Sequence, residues 1–310
     1  MSVVLNDIAK KQNTQQQLER LAAQRYLYSR AKSVLGIQLA LDLLSPLVLA
    51  TIVAFVPSFD ASAAFIGVVA GVTDLLLESY ESSHKRRAAD IQEIFDCDVL
   101  ELECRDLQVR RRPITEIIME AARDYKRSDP NYSDLRDWYP PTVEKIPLYL
   151  ARLVCQRINC WWDSQLRRRY VGVVVIVLLL LCVSVFAIGL INGLTVAKLF
   201  LAVIFPLLPT FIWAYREIKG QTEAASEKDD LRKYAEELWE DAIHNKLPME
   251  EIDKRSRNLQ DEIYYNRRSN PFILDWFFKR LHYKNEEFVN RGAEELVKEA
   301  LQCIGNKNNP

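Results

Sequence analysis

VGVVVIVLLLLCVSVFAIGL, residues 171–190, decides the architecture of this 310-residue chain. The run holds no charge, and as a helix rising 1.5 Å per residue it crosses the roughly 30 Å hydrocarbon core of a bilayer. Arg167, Arg168 and Arg169 stand immediately before it, and by the positive-inside rule they stay in the cytoplasm. Downstream, Asn192-Gly193 marks a tight turn, and a second apolar run at 196–215 returns inward. Trp213 and Tyr215 mark its inner interface, with Arg216 and Lys219 beyond. Pro206 and Pro209 predict a kink in this run.

Upstream the same pattern occurs once more. Residues 34–56 are apolar except for Gln38, Asp42, Ser45 and Thr51; a short turn at 57–60 follows, then a second apolar run at 61–77. Arg25, Arg30 and Lys32 precede this pair, and His84, Lys85, Arg86 and Arg87 follow it, while the turn between has no Lys or Arg. The expected fold is all-α: a polytopic membrane protein with two transmembrane helical hairpins, four spans, and a helical cytoplasmic domain. Residues 1–33 form an N-terminal cytoplasmic amphipathic helix, with Asn6-Asp7 at its start. Residues 34–78 form hairpin 1, with spans at 34–56 and 61–77. Residues 79–170 form a central cytoplasmic helical domain. Residues 171–215 form hairpin 2, with spans at 171–190 and 196–215, and 216–310 are a C-terminal cytoplasmic helical region. Both termini and the central domain lie inside. Four spans are few for a wide pore, so a conducting form is expected to be a homo-oligomer.

Composition narrows the chemistry. With 41 basic and 42 acidic residues the net charge is −1, which gives no case for DNA or RNA as a partner. Six cysteines occur without a CxxC, and His84, His244 and His282 stand apart, so no metal site is expected. The first thirty residues are too polar for a cleavable signal peptide. A glycine-rich phosphate loop, a GxSxG elbow, HExxH and the kinase set are all missing, and nine glycines leave little material for one. The expectation is a protein that is not an enzyme, with no catalytic residues and no cofactor.

Two groups of residues point to other chemistry. Gln38, Asp42 and Ser45 share one helical face, and Asp74 lies near the inner end of the second run. Polar groups there either line a cation pathway or reach interfacial water. In DWYPP and ARLVCQRINCWWDSQLRRRY, residues 137–141 and 151–170, aromatic rings alternate with arginines. That mixture suits stacking on a base and pairing with a phosphate, with Trp138, Tyr139, Trp161, Arg152 and Arg157 as candidates. Trp161 and Trp162 equally suit an anchor at the membrane surface. Arg267 and Arg268 form a second candidate anion contact, or a solvated basic turn.

Read together, several segments resemble the SMODS-associated four-transmembrane effectors, pore-forming proteins of bacterial antiphage signalling. They are QNTQQQLERLAAQRYLY at 12–28, IQEIFDCDVLEL at 91–102, SDLRDWYPP at 133–141, IPLYLARLVCQRINCWWDSQLRRRY at 146–170, RRSNPFILDWFFKRL at 267–281 and AEELVKEAL at 293–301. The resemblance implies a functional link to a nucleotidyltransferase that makes a cyclic di- or oligonucleotide on infection. It implies that this ligand triggers permeabilisation of the inner membrane and abortive infection. It carries no ligand-binding residues with it. The alternative is a non-conducting membrane-tethered sensor or scaffold that recruits a cytoplasmic partner.

Overall fold

Helical periodicity runs through the chain, and a computed structural model describes residues 6–41, 48, 60–104, 115–191, 195, 205–273 and 275–307. No strand occurs among the described residues. The helices are α1 Ile8–Gln12, α2 Gln15–Leu39, α3 Asp60–Val99 and α4 Thr115–Tyr125 in the first half. In the second half they are α5 Leu148–Ile191, α6 Phe205–Ile243, α7 Met249–Ser269 and α8 Asp275–Lys307.

Asn6 does cap α1. Its Oδ1 accepts the Ile8 N–H at 3.0 Å, while its Nδ2 donates to the carbonyls of Val143 and Ile146. Thr14, in an extended conformation, separates α1 from α2. Leu18, Leu21, Ala22, Leu27 and Ala31 then form the buried stripe of α2. That stripe packs on α3 and α4, and α5 packs lengthwise on α6. Helix α7 touches α3, α5 and α6, and α8 lies along α5. A single core joins both halves, with Phe95, Leu100, Tyr139, Ile146, Leu150, Leu153, Trp239 and Val297 among its members.

One helix is longer than the sequence pattern suggests. The pattern separates the apolar run at 61–77 from a helix beginning near His84, but α3 runs unbroken from Asp60 to Val99. No Pro or Gly interrupts the polar stretch between them, so nothing stops the helix. Helix α5 likewise carries the Trp- and Arg-rich segment straight into the apolar run, as expected. At 40 and 44 residues these helices are about 60–66 Å long.

Their far ends are apolar and exposed. Phe65, Val68, Val72, Leu75 and Leu76 on α3, and Val177, Leu180, Val183 and Phe186 on α5, are each at least 55% exposed. Bands of this size in water are an association hazard; in a bilayer they are the lipid face. Among the described residues one helix, over Leu148–Ala187, is long and apolar enough to cross a membrane by length and composition. Most of the predicted span at 34–56 and the first nine residues of that at 196–215 lie outside the described residues, as do Asp42 and Ser45. Pro206 and Pro209 fall in the first two turns of α6 as described, so the predicted kink lies at the edge of the described residues.

Candidate functional site

The side chains that sequence spacing marks for ligand chemistry divide into two groups. The first joins α3 to α7 in a buried polar network. Asp90, Glu93 and Asp96 recur at helical spacing on α3 and face Arg257, Gln260, Tyr264 and Arg267 on α7. Arg257 Nη2 donates to Glu93 Oε1 at 2.7 Å, and Arg267 Nη1 donates to Asp96 Oδ2 at 2.5 Å. Gln260 Nε2 bridges both carboxylates, at 2.9 Å and 3.0 Å. Tyr264 donates to Asp90 at 2.8 Å, and Arg268 donates to the Tyr264 hydroxyl.

Tyr139 enters the same network from the loop before α5. Its hydroxyl donates to Asp96 Oδ1 at 2.6 Å and accepts from Asn159 at 3.0 Å. Its main chain exchanges two hydrogen bonds with the Gln12 amide. Burial and then Asp96 hold the phenol well above its ordinary range, so it stays a donor. Burial and the neighbouring Asp96 also raise the Glu93 carboxyl, against the pull of Arg257 and Gln260. Tyr139→Phe leaves the Asp96 oxygen without this donor and is expected to cost about 1–3 kcal/mol. Thermal unfolding of the detergent-solubilised protein measures it, and an unchanged midpoint would refute the contribution.

Arg152 is committed internally as well. Its Nε and Nη2 donate to the carbonyls of Leu100 and Glu101 at 2.6 Å and 2.8 Å, and Nη1 donates to Asp253 at 2.6 Å. The guanidinium thereby caps the C-terminus of α3, where Glu101 turns the chain at φ 54°. Trp138 is half-buried with its ring edge-on to Phe95. Trp138, Tyr139, Arg152, Arg267 and Arg268 are thus parts of the bundle's interior or its margin.

Arg157 and Trp161 form the second group. With Ile158 they line one wall of a cleft of about 180 Å³, and Phe288, Val289 and Gly292 of α8 line the other. Arg157 donates Nε–H to Glu236 at 2.8 Å, a carboxylate it shares with Arg232. A side chain built at Gly292 would meet nothing within 4 Å, so this wall is open. Helix α8 runs antiparallel to α5 past the cleft. At one end Phe277 packs edge-on to Tyr170 at 5.4 Å, and at the other Val297 and Ala300 join Val143 and Ile146 in the core. Two aromatic rings and a guanidinium around one cleft suit a planar base and a phosphate. Sequence spacing offers Arg157 and Trp161; it gives no signal for Phe288 and Gly292, more than 120 residues away.

Of the intramembrane candidates, Gln38 and Asp74 are brought together: Gln38 Nε2 donates to Asp74 Oδ1 at 2.8 Å, joining α2 to α3. Among the described residues no group of three or more His, Cys, Asp and Glu side chains is placed to hold a metal ion.

A helical bundle with a polar, salt-bridged interior, continuous with a membrane-length apolar helix, is the build of a membrane-associated protein. More narrowly, the SMODS-associating 4TM effector domain matches residues 6–296, nearly the whole chain, and the chain belongs to that family. A probable CBASS effector molecule of Bacillus cereus (strain VD146) is 22% identical over 292 residues, covering 89% of this chain and 94% of its own length. No solved structure matches the chain.

Proposed function

We propose that this protein is a membrane effector of a bacterial antiphage, abortive-infection system. A cyclic di- or oligonucleotide made by a partner nucleotidyltransferase activates it, and as a homo-oligomer it permeabilises the inner membrane without enzymatic turnover. Family membership and the relative described as a CBASS effector support the biology. The exposed apolar bands on α3 and α5 support spans at 61–77 and 171–190, and the Lys/Arg asymmetry of the flanks supports two hairpins at 34–78 and 171–215 with both termini, 79–170 and 216–310 in the cytoplasm. The paired Gln38 and Asp74, with Asp42 and Ser45 on the same predicted face as Gln38, are the proposed pore lining.

The observation that carries the ligand reading is the cleft between α5 and α8. Trp161 and Phe288 offer the stacking faces and Arg157 the phosphate contact. At about 180 Å³ it is smaller than the roughly 300–1,000 Å³ of ordinary ligand pockets, so a cyclic dinucleotide enters fully only as α8 moves away from α5. Binding energy is thereby converted into displacement of a helix whose other end packs on Tyr170, one residue before the predicted third span.

Purified protein in dye-loaded liposomes, challenged with cyclic di-AMP and cyclic tri-AMP, tests this reading. Release is expected only with nucleotide. Gly292→Leu fills the open wall and, because Leu is the better helix former, keeps the helix intact while abolishing the response. Trp161→Ala is expected to shift activation to about 5- to 100-fold higher nucleotide, the worth of one stacked base. Vesicles that stay tight while the protein retains nucleotide would argue instead for the non-conducting scaffold, and an unaltered response in Gly292→Leu would remove the cleft from the mechanism.

A further inference from the structure

After Ser269, the last residue of α7, residues 270–273 form no helix, yet Asn270, Phe272 and Ile273 are buried. A buried irregular segment must have its carbonyls satisfied from outside, and here the donors come from different helices. Lys85 of α3 donates to the Ser269 carbonyl at 3.2 Å and sits 4.9 Å from the centre of the Phe272 ring. Arg167 of α5 donates to the Pro271 carbonyl at 2.9 Å. Gln221 of α6 donates to the Phe272 carbonyl at 2.6 Å and accepts from Arg167 at 2.6 Å. Tyr28 of α2 meets the Phe272 ring edge-on at 6.0 Å. Ile273 packs with Leu166 and Tyr170.

One short segment therefore touches each of the four helices that carry a predicted span. Counted along the helices, Tyr28, Lys85, Arg167 and Gln221 lie roughly 6–12 Å on the cytoplasmic side of those spans, at one common level. The same segment is the direct continuation of α8, the mobile wall of the nucleotide cleft. Its seat is imperfect: the Asn270 Nδ2 is buried without an acceptor, a cost that release to water would relieve.

We infer that residues 269–273 are the latch of the closed state, holding the inner ends of the four span-bearing helices together, and that withdrawal of Phe272 from between Tyr28 and Lys85 is the step that lets them part. The inference rests on the membrane-permeabilising reading above, and it makes a demand that reading does not. A latch that is cut must leave the protein leaky with no nucleotide present.

Phe272→Ala and Gln221→Met, each in dye-loaded liposomes, test it. Basal release without nucleotide is expected to rise about tenfold or more, the change expected when the closed state alone loses a buried aromatic ring or a buried hydrogen bond. Phe95→Ala cuts a hole of the same size in the core, ten residues beyond Lys85 on α3 and away from α8, and is expected to stay tight. Leakage in Phe95→Ala equal to that of Phe272→Ala would overturn the latch, because general loosening would then explain both. Tight latch variants in a background where the parent still responds to cyclic di-AMP or cyclic tri-AMP would overturn the latch and leave the effector reading standing. Leaky variants of a parent blind to both nucleotides would support the latch and count against nucleotide control. Tight vesicles throughout would sink both.

Discussion

Arg257→Ala is expected to cost about 3–5 kcal/mol, the largest loss from any single truncation in the bundle. The Arg257 and Glu93 side chains are 4% and 2% exposed, so removing the guanidinium strands a carboxylate away from water. Arg257 also donates to Asp261, to the Glu103 carbonyl and to Cys97 Sγ, so the end of α3 loosens with it. The sign of the pH dependence follows from Glu93. Its carboxyl is already raised by burial and Asp96, and without Arg257 it rises further. A raised carboxyl binds its proton more tightly in the folded state, so its contribution to stability falls as pH rises through that value. The deficit of Arg257→Ala relative to the parent is therefore expected to be smaller at pH 5 than at pH 8. Replacing the pair together, with Arg257→Met and Glu93→Leu, removes both charges and is expected to recover most of the loss. Equal thermal midpoints for the single and double variants would refute the account.

Arg152→Ala and Arg157→Ala, five residues apart on α5, are expected to fail in opposite ways. Arg152→Ala loses two charge-assisted hydrogen bonds to the end of α3 and one to Asp253 of α7, and is expected to cost about 3 kcal/mol or more, seen as poor recovery of folded protein. Arg157→Ala loses one part-exposed bond to Glu236, worth about 0–1 kcal/mol, and folds normally. Its defect is expected in the liposome assay, as nucleotide response weakened about tenfold or more by loss of the phosphate contact. A stable Arg152→Ala, or an Arg157→Ala with parental response, would reverse the assignment.

That pair also shows what a reader of the sequence can and cannot see. Helical spacing around Leu18, Leu21 and Ala22 and the uncharged run after Arg169 carry their meaning locally, because a helix is made of neighbours. Arg152 and Arg157 sit in one motif with the same flanking aromatics, and local pattern gives them the same role. What separates them is a partner far along the chain: Asp253 and the end of α3 for one, the open cleft below Gly292 for the other. Nothing local marks Asp96, Glu93 and Arg257 for burial, since most such residues are solvated. Only their meeting across 164 positions turns them inward. The seat of residues 269–273 is illegible for the same reason, since each of its four walls is contributed by a different helix.

The span of these contacts has a consequence for how the protein is made. The apolar runs at 61–77 and 171–190 leave the ribosome before Arg257, Arg267 and Phe272 do. A chain interrupted before residue 257 has its membrane-length segments without the arginines that tie down α3 and without the segment that gathers the inner helix ends. The contacts that gather the inner helix ends are therefore made after the apolar runs, so a chain cut before residue 257 is expected to keep those runs and lose the proposed latch.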